Sequence, residues 1–287
     1  MDIAISKFFE SIRNPFLDVI AKGFSLLGEP IFMVVLICAA YWLIDKKLGE
    51  RLAVVTFTSM IFNAVLKGSV KRLRPYAASH VTRVPSEGLV DTMSLTNDAS
   101  FPSGHSQISA GVTMGTATHY NITWVWITAM VLTLGVMWSR IYLGVHYFTD
   151  TLTGAALGIF FACLWDLLYA RLASKKYWII AGFAVVSIVF MILVPDKAMF
   201  EHAGMLIAGA IALPIEEKFI GFENATSRKN LMYRFLIGAG CVGLVFGLFS
   251  FLPFEFLDLI AWKFVKYFCT VLTGVLLVPY LFKKAKV

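Results

Sequence analysis

Lys67 is followed after six residues by Arg74-Pro75, and Pro102-Ser103-Gly104-His105 comes next. Ser139-Arg140 is then followed after five residues by His146 and after three more by Asp150. These side-chain types suit a phosphate-handling site. Lys67, Arg74 and Arg140 can hold an anion, the arginine forks matching paired oxygens and the lysine acting as a point charge. His105 and His146 are candidates for nucleophile and proton donor near neutral pH. His146 and Asp150 are four apart, so a helix would put both on one face. The carboxylate could then take one ring nitrogen, fix the tautomer and stabilise the imidazolium. Pro102-Ser103-Gly104 opens an apolar run and reads as a helix start, with Pro near the first helical position. The free N–H groups and dipole of that start would face an anion.

In this order and spacing the residues resemble the signature of the type 2 phosphatidic acid phosphatase (PAP2) superfamily of membrane phosphatases. The family pattern is Lys-x6-Arg-Pro, Pro-Ser-Gly-His, then Ser-Arg-x5-His-x3-Asp, and every fixed position is matched. The resemblance spans roughly the first 170 residues. It implies that His146 attacks phosphorus to form a phosphohistidine, with Asp150 orienting it. It also implies that His105 protonates the leaving alkoxide and later activates water. Lys67, Arg74, Arg140, Ser103 and the Gly104 N–H would bind the phosphoryl oxygens. Donors converging on the equatorial oxygens stabilise developing charge, so neither a cofactor nor a metal ion is expected. Vanadate-dependent haloperoxidases share these residues, but they are soluble, and the hydropathy of this chain argues against them.

Of the 287 residues, 59% are apolar and only 15% charged, and the mean hydropathy is +0.76. Such a chain is too apolar for an ordinary soluble domain and is expected to be an integral, multi-pass membrane protein. The net charge of +7 sits in short loops between apolar runs, which points to topology and phosphate binding and away from a nucleic-acid partner. Cys38, Cys163, Cys241 and Cys269 each stand alone in an apolar run and read as packed thiols. Met1 to Lys22 carries Asp2, Glu10, Asp18 and Lys22 and does not read as a cleavable signal peptide.

The fold expected is all-α, a polytopic membrane helical bundle of about nine transmembrane helices. Ile3 to Leu27, broken by charges and by Asn14-Pro15, suits an interfacial helix. Spans are expected at Pro30–Ile44, Leu52–Leu66, Ser103–Thr118, Trp124–Trp138 and from His146 to about Leu168. Four more follow at Tyr177–Val194, Ala198–Ala212, Tyr233–Leu252 and Leu259–Leu281. Residues 1–175 would form the phosphatase-like core, and 176–287 an extension of further spans. The polar stretch between Pro75 and Pro102 is either a rim contacting the headgroup, centred on residues 84–96, or a connector.

This ladder puts all three clusters on one side of the membrane. Lys46, Lys47, Arg51, Arg171, Lys175, Lys176, Lys218, Arg228, Lys229, Lys283, Lys284 and Lys286 lie on the opposite face, against Lys7, Arg13, Lys22, Lys71, Arg72, Arg83, Lys197, Lys263 and Lys266 on the cluster face beside the phosphate ligands, and this moderate bias puts the expected site outside the cytoplasm. His80, His119 and His202 read as packing residues, and Lys71 and Arg72 as interfacial anchors or lipid-headgroup contacts. Asp166 has Arg171 within about one turn as a partner.

The function expected is hydrolysis of a lipid phosphate, with phosphatidic acid-like, sphingoid-base and isoprenyl phosphates or pyrophosphates all open as substrates. Phosphotransfer from the same phosphohistidine to a hydroxyl is a second reading. A lipid or anion transporter lined by Lys67, Arg74, Arg140 and Asp150 is a third.

Overall fold

The computed structural model describes residues 1–85, 99–224, 227–251 and 260–287. From residue 86 onward the expected rim lies outside them. Helices account for the regular structure of the described residues.

In chain order these are α1 (Asp2–Ser11), α2 (Pro15–Leu27), α3 (Pro30–Ala39) and α4 (Lys46–Val70), then α5 (Gly104–Tyr120), α6 (Thr123–Tyr142) and α7 (Phe148–Leu172). After them come α8 (Lys176–Leu193), α9 (Lys197–Ile215), α10 (Arg228–Phe251), α11 (Ile260–Leu272) and α12 (Val278–Ala285). Short π-helical turns extend α3 to Ile44 and α9 to Ile220 and join α11 to α12.

Six helical stretches among the described residues are long and apolar enough to cross a membrane, or seven if α2 and α3 form one broken span bent by 53°. The expected nine is therefore too many. The third expected span is α5, which has only 17 residues and is rich in Ser, Thr and Gly. The first, at α3, qualifies only when joined to α2. The fifth and sixth are α7 and α8, which run through a turn at Ala173–Lys175 as a single 46-residue helical stretch. The interfacial helix expected over Ile3–Leu27 is two helices. Asn14 caps the second, its Oδ1 accepting from Leu17 N at 3.0 Å, with Pro15 at the first helical position.

The chain divides into two compact units, residues 1–34 with 62–166, and residues 35–61 with 167–287. In the first, α7 lies directly against α5. A Cβ at Gly154 would collide with the Ser103 carbonyl, and one at Gly158 with the Gln107 carbonyl, so the two glycines allow backbone contact as small residues do between membrane helices. Asn63 on α4 donates to Gln107 Oε1 at 2.7 Å, and Ser103 N–H donates to the Asp150 carbonyl at 3.0 Å. In the second unit buried charges are paired: Glu216, 1% exposed, meets Lys46 at 2.6 Å, and Glu50 meets Lys176 at 3.0 Å and Tyr169 Oη at 2.9 Å. Lys263 and Glu201 pair at 3.4 Å.

Candidate active site

All eight residues singled out from the sequence lie in the first unit. Lys67 is on the last turn of α4, and its Nζ donates to the Ala99 carbonyl at 2.8 Å. Arg74, buried, follows the end of α4. Its Nη1 lies 3.3 Å from His146 Nε2 and donates to the Val145 carbonyl at 3.1 Å. Arg140 ends α6 with its Nη1 donating to Ser25 Oγ, and its buried Nε has no hydrogen-bond partner among the described residues.

His146 is not on a helix. It stands two residues ahead of α7, in a turn where its N–H and that of Val145 both donate to the Arg140 carbonyl at 3.2 Å. Gly144, at φ +78°, makes this turn, and a side chain there would run into the Thr82 carbonyl. Asp150, the third residue of α7, reaches back to the Tyr147 N–H at 2.9 Å, as the acidic member of a capping box does.

The expected hydrogen bond between Asp150 and His146 is not made directly. Oδ2 stands 3.6 Å from Nδ1, beyond hydrogen-bond range. The Ser100 hydroxyl lies between them, donating to Oδ2 at 2.5 Å and lying 3.4 Å from Nδ1. The order His146, Ser100, Asp150 leaves Nε2 facing Arg74.

Ser103 caps α5, its Oγ accepting from Ser106 N–H at 3.4 Å and from Ser106 Oγ at 3.1 Å. Gly104 and His105 open that helix, so Pro102 stands one residue before the cap and not inside the helix. His105 Nε2 lies 2.9 Å from Glu29 Oε1. Burial is the main force holding the His146 pKa well below its usual value, and the positive charge of Arg74, Arg140, Lys67 and His105 pushes the same way. Both influences favour a neutral imidazole at His146, with Nε2 towards Arg74 and Nδ1 towards Ser100.

Arg72, expected as an interfacial anchor or lipid-headgroup contact, is engaged by side chains of the protein. Its guanidinium donates to Asp150 Oδ1 at 2.9 Å, Thr149 Oγ1 at 2.7 Å and Asp2 Oδ2 at 2.8 Å, and it lies 3.8 Å from the Tyr147 ring centre. Its pKa is raised: burial opposes the charge, but the hydrogen bond to Asp2 and the charge of Asp150 prevail. His80 packs as expected, with Nδ1 2.7 Å from Tyr147 Oη. Sequence reasoning missed Ser100, Arg72, Asp2 and Glu29. A signal existed for Glu29, a carboxylate between Gly28 and Pro30 at the junction of two apolar runs. Ser100 had none.

Such a chain is a multi-pass integral membrane protein whose basic side chains and two imidazoles gather around the start of α5 and the turn before α7. A family model described as "PAP2 superfamily" matches residues 50–174, and one described as "PAP2 superfamily phosphatase, transmembrane extension" matches 200–287. Phosphatidylglycerophosphatase B of Bacillus subtilis is 34% identical over 173 residues, covering 55% of this chain and 78% of that one. The Bacteroides thetaiotaomicron lipid A 4'-phosphatase is 24% identical over 186 residues, covering 61% and 80%. The crystal structure of Aquifex aeolicus LpxE superposes with a TM-score of 0.50 at 22% identity, covering 58% of this chain and 95% of that one, and shows a shared fold. The chain belongs to the PAP2 superfamily and is a lipid phosphate phosphatase.

Proposed function

We propose that the enzyme hydrolyses a lipid phosphomonoester by a metal-independent route through a phosphohistidine on His146. The placement of His146 carries this reading: a buried, neutral imidazole whose Nε2 stands 3.3 Å from the Arg74 guanidinium. Nε2 attacks phosphorus in line as the ester P–O bond breaks. Arg74, Arg140, Lys67, the Ser103 hydroxyl and the Gly104 N–H hold the phosphoryl oxygens, with the start of α5 adding its dipole. His105 gives its proton to the leaving alkoxide. In the second half water bonds to phosphorus, His105 takes its proton and the N–P bond breaks. Asp150, acting through Ser100, keeps the His146 proton on Nδ1.

Residues 1–175 carry this chemistry in our reading, and 176–287 form a helical extension to it. Along α4, Lys46, Lys47 and Arg51 lie in the first two turns and Lys67 in the last, and along α7 Asp150 lies in the first turn and Arg171 in the last, with Lys175 and Lys176 following it. That bias supports a site facing away from the cytoplasm. A cysteine placed at the exposed Ser69 should react with an impermeant maleimide on intact cells; labelling only after lysis would reverse the orientation.

The relatives named above act on a phosphatidylglycerol phosphate and on lipid A, as their names state. Both are phosphomonoesters on lipid-anchored headgroups, which supports a monoester here over a pyrophosphate. The test is phosphate release by the purified protein from a panel of lipid monophosphates and pyrophosphates, beside His146→Ala. We expect monoesters to be hydrolysed and the variant to lose nearly all turnover. A variant near wild type would remove the assigned nucleophile, and phosphate appearing only on an acceptor alcohol would make the enzyme a phosphotransferase.

A further inference from the structure

The second imidazole also has a carboxylate partner, and it comes from a part of the chain that no motif covers. Glu29 occupies the junction of α2 and α3, with its side chain 12% exposed, and its Oε1 lies 2.9 Å from His105 Nε2. The approach is built into the backbone. A Cβ at Gly28 would sit 2.9 Å from His105 Cβ and 3.1 Å from Val136 Cγ1, so glycine lets the junction close onto α5.

The charges around this pair are lopsided. Arg140 on α6 faces Glu29, and His146 from the turn before α7 shares the field of His105, with Arg74 and Lys67 beyond it. An imidazolium at His105 would stand among cations, and a proton is hard to hold there without a counter-charge. Glu29, 2.9 Å from Nε2, supplies one.

We propose that Glu29 is a positioning residue for His105, fixing its ring and holding its proton ready for the leaving group. This rests on the hydrolytic reading above. The site then contains two carboxylate–imidazole pairs. Asp150 acts on the nucleophile through Ser100, and Glu29 acts directly on the acid. With Nε2 donating to Glu29, Nδ1 is the nitrogen that serves the substrate. Its proton passes to the alkoxide oxygen as the ester P–O bond breaks and the His146 Nε2–P bond forms. A proton from water returns to the same nitrogen as the water oxygen bonds phosphorus and the N–P bond breaks. The Glu29 carboxyl faces the imidazolium each time it forms.

The dependence on leaving group separates this role from a merely structural one. An alkoxide needs the proton, whereas a p-nitrophenolate departs without it. We expect Glu29→Gln to lower kcat on a lipid monophosphate on the order of 10- to 100-fold and to change the first-turnover burst of p-nitrophenolate from p-nitrophenyl phosphate by only about 2-fold. Glu29→Asp should recover part of the loss. With the lipid substrate alone, the alkaline limb of the kcat profile should move down by about one pH unit in Glu29→Gln, because the imidazolium has lost its counter-charge. An equal loss in lipid turnover and in the p-nitrophenolate burst, an unmoved alkaline limb, or no loss at all would overturn the assignment.

His105→Ala and His146→Ala run in parallel. His105→Ala should lose steady-state turnover of both substrates, because water activation also needs its ring, while keeping the p-nitrophenolate burst, and His146→Ala should lose burst and turnover alike. Lipid hydrolysis surviving in those two variants would sink the hydrolytic mechanism itself, an outcome distinct from failure of Glu29 alone.

Discussion

Replacing Ser100 by Ala removes one oxygen, and the structure says what that oxygen does. Ser100 is fully buried, donates to Asp150 Oδ2 at 2.5 Å and lies 3.4 Å from His146 Nδ1. Without it, Asp150 keeps the Tyr147 N–H and Arg72, but the 3.6 Å from Oδ2 to Nδ1 is too long for a hydrogen bond. A hydrogen bond to a charged group contributes about 1.5–3 kcal/mol. If that energy orients the nucleophile in the transition state, kcat falls by roughly 10- to 150-fold at about 1.4 kcal/mol per decade. KM should stay nearly constant, because Ser100 contacts Asp150 and His146 and not the cations that hold the phosphoryl group. The assay is rapid-quench formation of the phosphoenzyme with an alkaline stop, which preserves phosphohistidine, beside steady-state phosphate release. Ser100 and Asp150 act in series here, so Ser100→Ala should cost little more in an Asp150→Asn background. Wild-type kcat in Ser100→Ala, or losses that multiply in the double variant, would refute the relay.

Arg72→Met leaves the Asp150 carboxylate, fully buried, without its cation and also frees Asp2. It should cost about 3 kcal/mol, the scale for breaking a buried pair, read as a drop in melting temperature in detergent. Arg72→Lys should recover part of this, and an unchanged melting temperature in Arg72→Met would contradict the clamp. The lowered pKa of His146 sets a stability–pH relation. The unfolded chain takes up a proton on this residue near pH 6.5 and the folded one only well below that. Stability is therefore present above pH 6.5 and lost as pH falls below it, by roughly 1.4 kcal/mol per unit from this group. His146→Gln should flatten that part of the melting curve against pH, and parallel curves for both proteins would count against a neutral buried imidazole.

The candidate site groups were legible because their order and spacing are local properties of the chain, and so was the helix start at Ser103. The span count was not. Hydropathy placed breaks between Leu27 and Pro30 and between Leu168 and Tyr177, but it does not record whether the helices on either side of a break make one span or two. The missed site residues share a different cause. Ser100, Arg72, Glu29 and Asp2 act through pairings between distant segments, such as Arg72 with Asp150 and Glu29 with His105, and no fixed spacing encodes those.

One physical requirement links these missed residues. A cluster of cations, imidazoles and a carboxylate buried in a membrane protein needs partners, because each unpaired charge there costs several kcal/mol. The N-terminal helices, which read from sequence as an interfacial element, supply them. Asp2 on α1 takes Arg72, Ser25 on α2 takes Arg140, and Asp18 on α2 accepts from Tyr142 Oη at 2.7 Å. Arg13, between α1 and α2, donates to the Tyr142 and Thr82 carbonyls at 3.0 and 2.8 Å, and Glu29 takes His105. Asp2, Arg13, Asp18, Ser25 and Glu29 weaken the hydropathy signal of the first 29 positions, and the same side chains tie this segment to the rest of the first unit.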